Sequence, residues 1–132
     1  MPVDRRTFDT PDAPPAAGVY SHGVISGGFL FCAGQVPSDP DLGALVKGDM
    51  GAQTTRCLDN LAIVCRAEGA RLEDAVRVGI YLTDLPGDFA AMNEAYSAWF
   101  AGGELPARTT IGVAALAVGA DIEIDAVVRL PE

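Results

Sequence analysis

The sequence predicts an α+β domain, a mixed sheet with two helices packed on one face. Three observations predict it. Two segments, one between Asp49 and Gly69 and one from Asp88 to Ala101, each carry a single apolar stripe at helical spacing. Between them Val76, Val78, Ile80 and Leu82 alternate with polar or small residues, as a strand does. Pairs of strand-like runs precede the first helix and follow the second. The predicted order is ββ-α-β-α-ββ within one domain spanning residues 1–132. Helices on one sheet face would bury both stripes. The other face then needs cover, and with no third helix another subunit is the simplest candidate.

Each element has its own signals. Residues 1–16 are expected to be irregular, because "DTPDAPPAA" at 9–17 is Pro-rich. Val19–Ile25 reads as a first strand, with Tyr20 and His22 on one face by period two. "SGG" at 26–28 is a turn and "FLFCAGQV" at 29–36 a second strand, which together make a hairpin. "PSDPDLGALVKGD" at 37–49 is a loop ending in Asp49, a suitable helix N-cap. Leu58, Leu61, Ala62 and Cys65 form the first stripe, Arg56, Asp59 and Arg66 lie largely outside it, and Gly69 suits a C-cap. "TDLPGD" at 83–88 breaks the middle strand. Phe89, Met92, Tyr96, Trp99 and Phe100 form the buried side of the second helix, which "GGELP" ends. Thr109–Ala115 is a strand. In the last strand Ile122, Ile124, Ala126 and Val128 face one way and Glu123, Asp125, Val127 and Arg129 the other.

Composition narrows the function. Hydrophobic residues make up 49% and mean hydropathy is +0.23, rich for a small domain, which implies apolar surface hidden between subunits. Net charge is −9 with a single lysine, so there is no basic stripe to displace counterions from nucleic acid. No apolar stretch approaches the roughly 20 residues of a membrane span. The N-terminus has no apolar core of a secretory signal, so the cytoplasm is the expected location. Cys57 and Cys65, if on one helix, lie about 12 Å apart along it, too far for a disulfide. With Cys32 they read as buried free thiols.

The chemistry that is missing also matters. His22 is the lone histidine, so no Ser-His-Asp relay has another base, and a dedicated zinc site lacks ligands. No phosphate-binding glycine loop occurs. Lys47, the only lysine, sits in a polar loop, which argues against covalently held pyridoxal phosphate. A lone strand histidine is usually structural, and Tyr20 alone would read as a core tyrosine.

Arg108, in "ELPARTTIGVA" at 104–114, stands out. It is the only Lys or Arg from Val78 to Val128, among seven Asp and Glu. It is either a solvated charge at a strand start or a receptor for an anion.

"GVYSHGV" at 18–24, "FLFCAGQVP" at 29–37, "NEAYSAWF" at 93–100, "LPARTTIGVA" at 105–114 and "IEIDAVV" at 122–128 occur in an order and spacing that resembles the RidA/YjgF family of enamine/imine deaminases. The resemblance runs from about residue 12 to 129. The Pro-Ala-Arg-Thr segment combined with the Gly-Gln strand end is its specific part. It implies a chorismate-mutase-like fold, and a homotrimer whose sheets form a central barrel with clefts between subunits. It also implies hydrolysis of 2-aminoacrylate-type enamines, through their 2-imino acid tautomers, to 2-keto acids and ammonia, without metal or cofactor. Pyridoxal-phosphate dehydratases release such intermediates.

The same resemblance assigns residues. Arg108 would take the substrate carboxylate, for which a planar guanidinium is well matched. Glu123 would orient or deprotonate water, or pass a proton to the leaving nitrogen. Tyr20 would supply a pocket wall and a hydroxyl. Gly34 would let its N–H approach the carboxylate, with Ala33, Asn93 and Thr110 around the pocket. Many members carry Ser where this chain has Ala33, so a hydroxyl donor is lost. Two further readings compete: a deaminase of a catabolic enamine such as 2-aminomuconate, and a non-catalytic trimer that binds small carboxylates. A stress-linked chaperone is a third class. Keeping both Arg108 and Glu123 favours catalysis, since binding alone needs only the arginine.

Overall fold

Residues 4–132 are described in this computed structural model. The strands are β1 (Arg5–Phe8), β2 (Gly23–Ser26), β3 (Phe29–Gln35), β4 (Ala75–Leu82), β5 (Ala107–Gly112) and β6 (Ile122–Arg129). The helices are α1 (Met50–Arg66) and α2 (Leu85–Trp99). The strands form one mixed sheet in the order β1-β2-β3-β6-β4-β5, antiparallel except for the parallel β4–β5 pair. The predicted α+β class, with both helices on one sheet face, is the observed one.

The alternation in β6 explains the layering. Ile122, Ile124, Ala126 and Val128 are buried and face the helices, where they meet Leu30 and Cys32 of β3 and Val78, Ile80 and Leu82 of β4. From α1, Cys57, Leu58, Leu61, Val64 and Cys65 close over them. From α2 come Met92 and Tyr96, with Phe100 just beyond its end. The three cysteines are free and buried, and burial raises the thiol pKa of Cys57. The opposite face carries Phe31, Tyr81, Ile111, Glu123, Asp125 and Val127, and Phe31 and Ile111 remain exposed there. Among the described residues no helix covers that face.

Several boundaries differ from expectation. The irregular N-terminal segment holds for 9–17, but Arg5–Phe8 pairs with β2 as an edge strand, and Arg6 pairs with Glu68. Residues 1–3 lie outside the described residues. β2 starts at Gly23, not Val19. Tyr20 and His22 therefore share no strand face: Tyr20 is half exposed and His22 buried. A helix cap is set by hydrogen bonds. Asp49 accepts from Ala52 N as expected, but α1 ends at Arg66 with Ala67 as its cap, and Gly69 takes its positive φ in the turn beyond. α2 starts three residues early, because Asp84 caps it through Gly87 N and Pro86 fits its first turn. Val76 leaves the alternation because a bulge between Ala75 and Arg77 turns it outward. On α2, Phe89 is exposed and Trp99 half-buried, its Nε1 donating to Asp59 at 3.0 Å. β5 runs from Ala107 to Gly112, earlier than Thr109–Ala115.

Candidate active site

A β-bulge builds the site. Cys32 pairs with Ala126 and Gln35 with Ile124, so two residues of β3, Ala33 and Gly34, oppose Asp125 alone. The extra residue re-aims the strand. Gly34 then packs against the Glu123 side chain so closely that a Cβ there would lie 2.6 Å from Glu123 Oε2. At Gly34 the close neighbour within the chain is thus the acidic side chain of Glu123.

Tyr20 completes this group. Ala17, Tyr20, Gly34, Ala117 and Glu123 border both of two adjoining cavities. One, of about 350 Å³, also touches Ala33. The other, of about 260 Å³, continues past Val36 to Leu45 and Val118. The Tyr20 hydroxyl accepts a hydrogen bond from Ala17 N at 3.1 Å, which folds the ring back on its own loop.

Electrostatics suit Glu123 to proton transfer. Burial, and then the neighbouring Asp125 carboxylate, push its pKa above the ordinary value. A carboxyl tuned upward exchanges protons more readily near neutral pH. Beside it Tyr81 donates to Asp125 Oδ2 at 2.9 Å and Arg77 pairs with Asp125 Oδ1 at 3.8 Å.

Two residues outside the predicted set hold the walls. His22 fastens the 9–17 segment: its Nδ1 accepts from Thr10 N at 3.0 Å, its Nε2 donates to Pro14 O at 2.9 Å, and its own N donates to Asp9. Asn60, fully buried on α1, donates to Val36 O at 3.2 Å and Ser38 O at 2.9 Å. A buried asparagine inside a helix stripe was the available signal, since such an amide must find partners.

Arg108 lies elsewhere. It is in register with Val78 and, through β4, with Ala126, both of which face the helices. Its guanidinium lies over the Tyr96 ring, 4.8 Å from the centroid, with Phe89 at 5.8 Å. Thr110 follows on the same face, and Thr110 Oγ1 and Tyr96 Oη are buried without a hydrogen-bond partner among the described residues. Asn93 is exposed on α2 and falls between Phe89 and Tyr96 at helical spacing. Within one chain the predicted residues thus form two groups. Tyr20, Ala33, Gly34 and Glu123 gather on the open face, while Arg108, Thr110 and Asn93 gather at the β5 edge on the helix side. Tyr96 and Phe89 were read from sequence only as the buried side of α2; they are the aromatic clamp on Arg108.

A two-layer α+β fold with an acidic cleft at a bulge on its open sheet face defines the class of protein. A model of the family described as Endoribonuclease L-PSP matches residues 10–130. This chain belongs to that family, the YjgF/RidA family. It is 44% identical over 118 residues to a RutC family protein of Pyrococcus abyssi, covering 89% of this chain and 91% of that one. It is 37% identical over 125 residues to the 2-iminobutanoate/2-iminopropanoate deaminase of Rattus norvegicus, covering 95% of this chain and 90% of the other. The solved structure of the yjgF gene product of Escherichia coli superposes with a TM-score of 0.88 at 35% identity, covering 94% of this chain and 98% of that one.

Proposed function

We propose that the protein hydrolyses 2-imino acids, the tautomers of 2-aminoacrylate-type enamines, to 2-keto acids and ammonia. The observation that carries this reading is Glu123, its pKa raised, held over Gly34 in the cavity that Tyr20 walls. Water adds to the imine carbon and gives a tetrahedral carbinolamine. Glu123 takes the proton from that water and returns it to nitrogen. Glu123 next carries the carbinolamine hydroxyl proton to the amine, the C–N bond breaks, ammonia leaves, and the carbon keeps the oxygen as a ketone. Relatives named 2-iminobutanoate/2-iminopropanoate deaminase at 36–37% identity support the same reading.

The carboxylate falls to Arg108, whose guanidinium is held over the Tyr96 ring. Arg108 and Glu123 lie on opposite faces of one sheet, so the reading includes a second copy of the chain. In a homotrimer, β5 at the sheet edge would bring one subunit's Arg108 to another's Glu123, and the uncovered apolar face would be buried. The family description names a ribonuclease, but a chain of net charge −9 with one lysine offers few phosphate contacts. 2-Aminomuconate carries a second carboxylate, and the only charged residue that the described part of this chain gives to the cavities it would enter is Glu123, itself an acid.

The test is a coupled assay. A serine/threonine dehydratase generates the imine, semicarbazide competes for it, and keto acid release is followed with and without the protein. Acceleration by wild type, lost in Arg108→Ala and Glu123→Gln, is the expected result. No acceleration by wild type with any imine would overturn the reading.

A further inference from the structure

The cavity that leaves the Glu123 chamber past Gln35 has walls of a different character. Pro14, Pro15, Val36, Leu45 and Val118 line it, Gln35 and Ser38 are uncharged polar neighbours, and Glu123 at its mouth is the only charged group among the described residues. Val118 forms its outer rim under unusual backbone conditions. It has φ 52 and ψ 22, and it is the only non-glycine residue in the left-handed region among the described residues. A β-branched residue is a poor occupant of that conformation, which glycine or asparagine takes readily. The neighbouring Gly119 also has a positive φ, at 75. Local turn geometry therefore gives no reason for a valine, whereas a bulky apolar wall at the cavity does. Backbone strain of this kind persists where a side chain has a task. Val118 is 61% exposed within the chain, so its isopropyl group is free to meet a ligand.

We propose that this branch is a subsite for a branched or extended aliphatic substrate side chain, with Val118 as its specificity-determining residue. The proposal rests on the deaminase reading. A 2-imino acid whose carbinolamine forms beside Glu123 directs its side chain away from the reacting carbon. The methyl group of the alanine-derived imine would stay within the chamber and leave Val36, Leu45 and Val118 wet. An isobutyl group would reach and cover them, and burial of each matched methylene favours the larger substrate. Glu123 is the only charged residue that the described part of this chain gives the cavity, so an acidic side chain would meet its repulsion.

The experiment generates imines in situ from leucine and from alanine with an L-amino acid oxidase and catalase. The ratio of their kcat/KM values is measured by semicarbazide competition for wild type, Val118→Gly and Val118→Asn. Both substitutions suit the left-handed backbone, so both variants should fold, and thermal melts check this. Wild type should favour the leucine-derived imine by about tenfold or more, and both variants should reduce that ratio by about tenfold. A wild-type ratio near one, or a ratio unchanged in both variants, overturns the proposal. Calorimetric binding of pyruvate and 4-methyl-2-oxopentanoate separates the two ideas. If wild type turns over no imine yet binds the larger keto acid more tightly through Val118, the subsite stands and the deaminase reading falls. Equal binding of both acids in all three proteins overturns the subsite.

Discussion

Gly34 and Glu123 meet so closely across the β3–β6 pair that a methyl group on Gly34 would lie 2.6 Å from Glu123 Oε2, 2.9 Å from its Cδ and 3.1 Å from its Cγ. No rotation of the carboxylate alone relieves all three contacts. Gly34→Ala should therefore displace the Glu123 side chain while sparing the core, which lies on the other face. A displacement near 1 Å costs about a hundredfold in rate. We expect kcat/KM to fall by about that factor, with the melting temperature little changed. A fully active Gly34→Ala enzyme would remove the reason for glycine here.

The raised pKa of Glu123 has a stability consequence whose sign is definite. The folded protein holds this proton more tightly than the unfolded chain. The group's contribution is therefore fully present below the ordinary carboxylate pKa and is lost as pH rises through the raised value. Glu123→Gln should melt higher than wild type at pH 8, and the gap should close as pH falls toward about 4. The same variant should lose activity at all pH values. Wild-type kcat/KM should show an acid limb above the ordinary glutamate range.

The Arg108 guanidinium carbon lies over the Tyr96 ring, 4.8 Å from its centroid. Charge-assisted hydrogen bonds contribute about 1.5–3 kcal/mol each, so Arg108→Ala should lower kcat/KM by at least about a hundredfold. Arg108→Lys keeps the charge but not the paired donors. It should recover little, a loss of about tenfold or more remaining. Calorimetric binding of a keto acid should track the same order.

Because Arg108 and Glu123 sit on opposite sheet faces, inactive variants should complement each other if sites form between subunits. Arg108→Ala and Glu123→Gln chains co-expressed at equal levels would regain about a quarter of the sites of a closed homotrimer. Phe31→Asp, on the uncovered face, should shift the protein to the monomer in sedimentation and abolish activity. Failure to complement by correctly assembled mixtures would place the whole site within one chain.

Asn60 ties α1 to the loop at Val36 and Ser38. Asn60→Ala removes the side-chain donor from two part-buried carbonyls, of which Val36 O keeps Ser38 N, and this should cost about 1–3 kcal/mol. Chemical denaturation would measure this. Because that loop lines the side-chain cavity, KM should rise more than kcat falls.

The chain itself determined the two-layer architecture, and its resemblance to a known family named the candidate residues. Apolar spacing in α1, α2, β4 and β6 allows only one way to hide those stripes, and burial follows spacing because water exclusion needs no partner identity. Arg108 was legible as an isolated cation and Gly34 as a site of close approach. Tertiary structure decided what local pattern does not encode. Register put Arg108 and Glu123 on opposite faces, since one residue of offset in a strand reverses the side. A bulge, invisible in composition, aimed Gly34 at Glu123. Tyr20 and His22 looked like one strand face, but both His22 ring nitrogens find backbone partners in the 9–17 segment. Those bonds hold the chain out of the sheet until Gly23. The arginine's clamp, the strained Val118 and the cavity walls come from segments far apart in sequence, and only long-range packing brings them together.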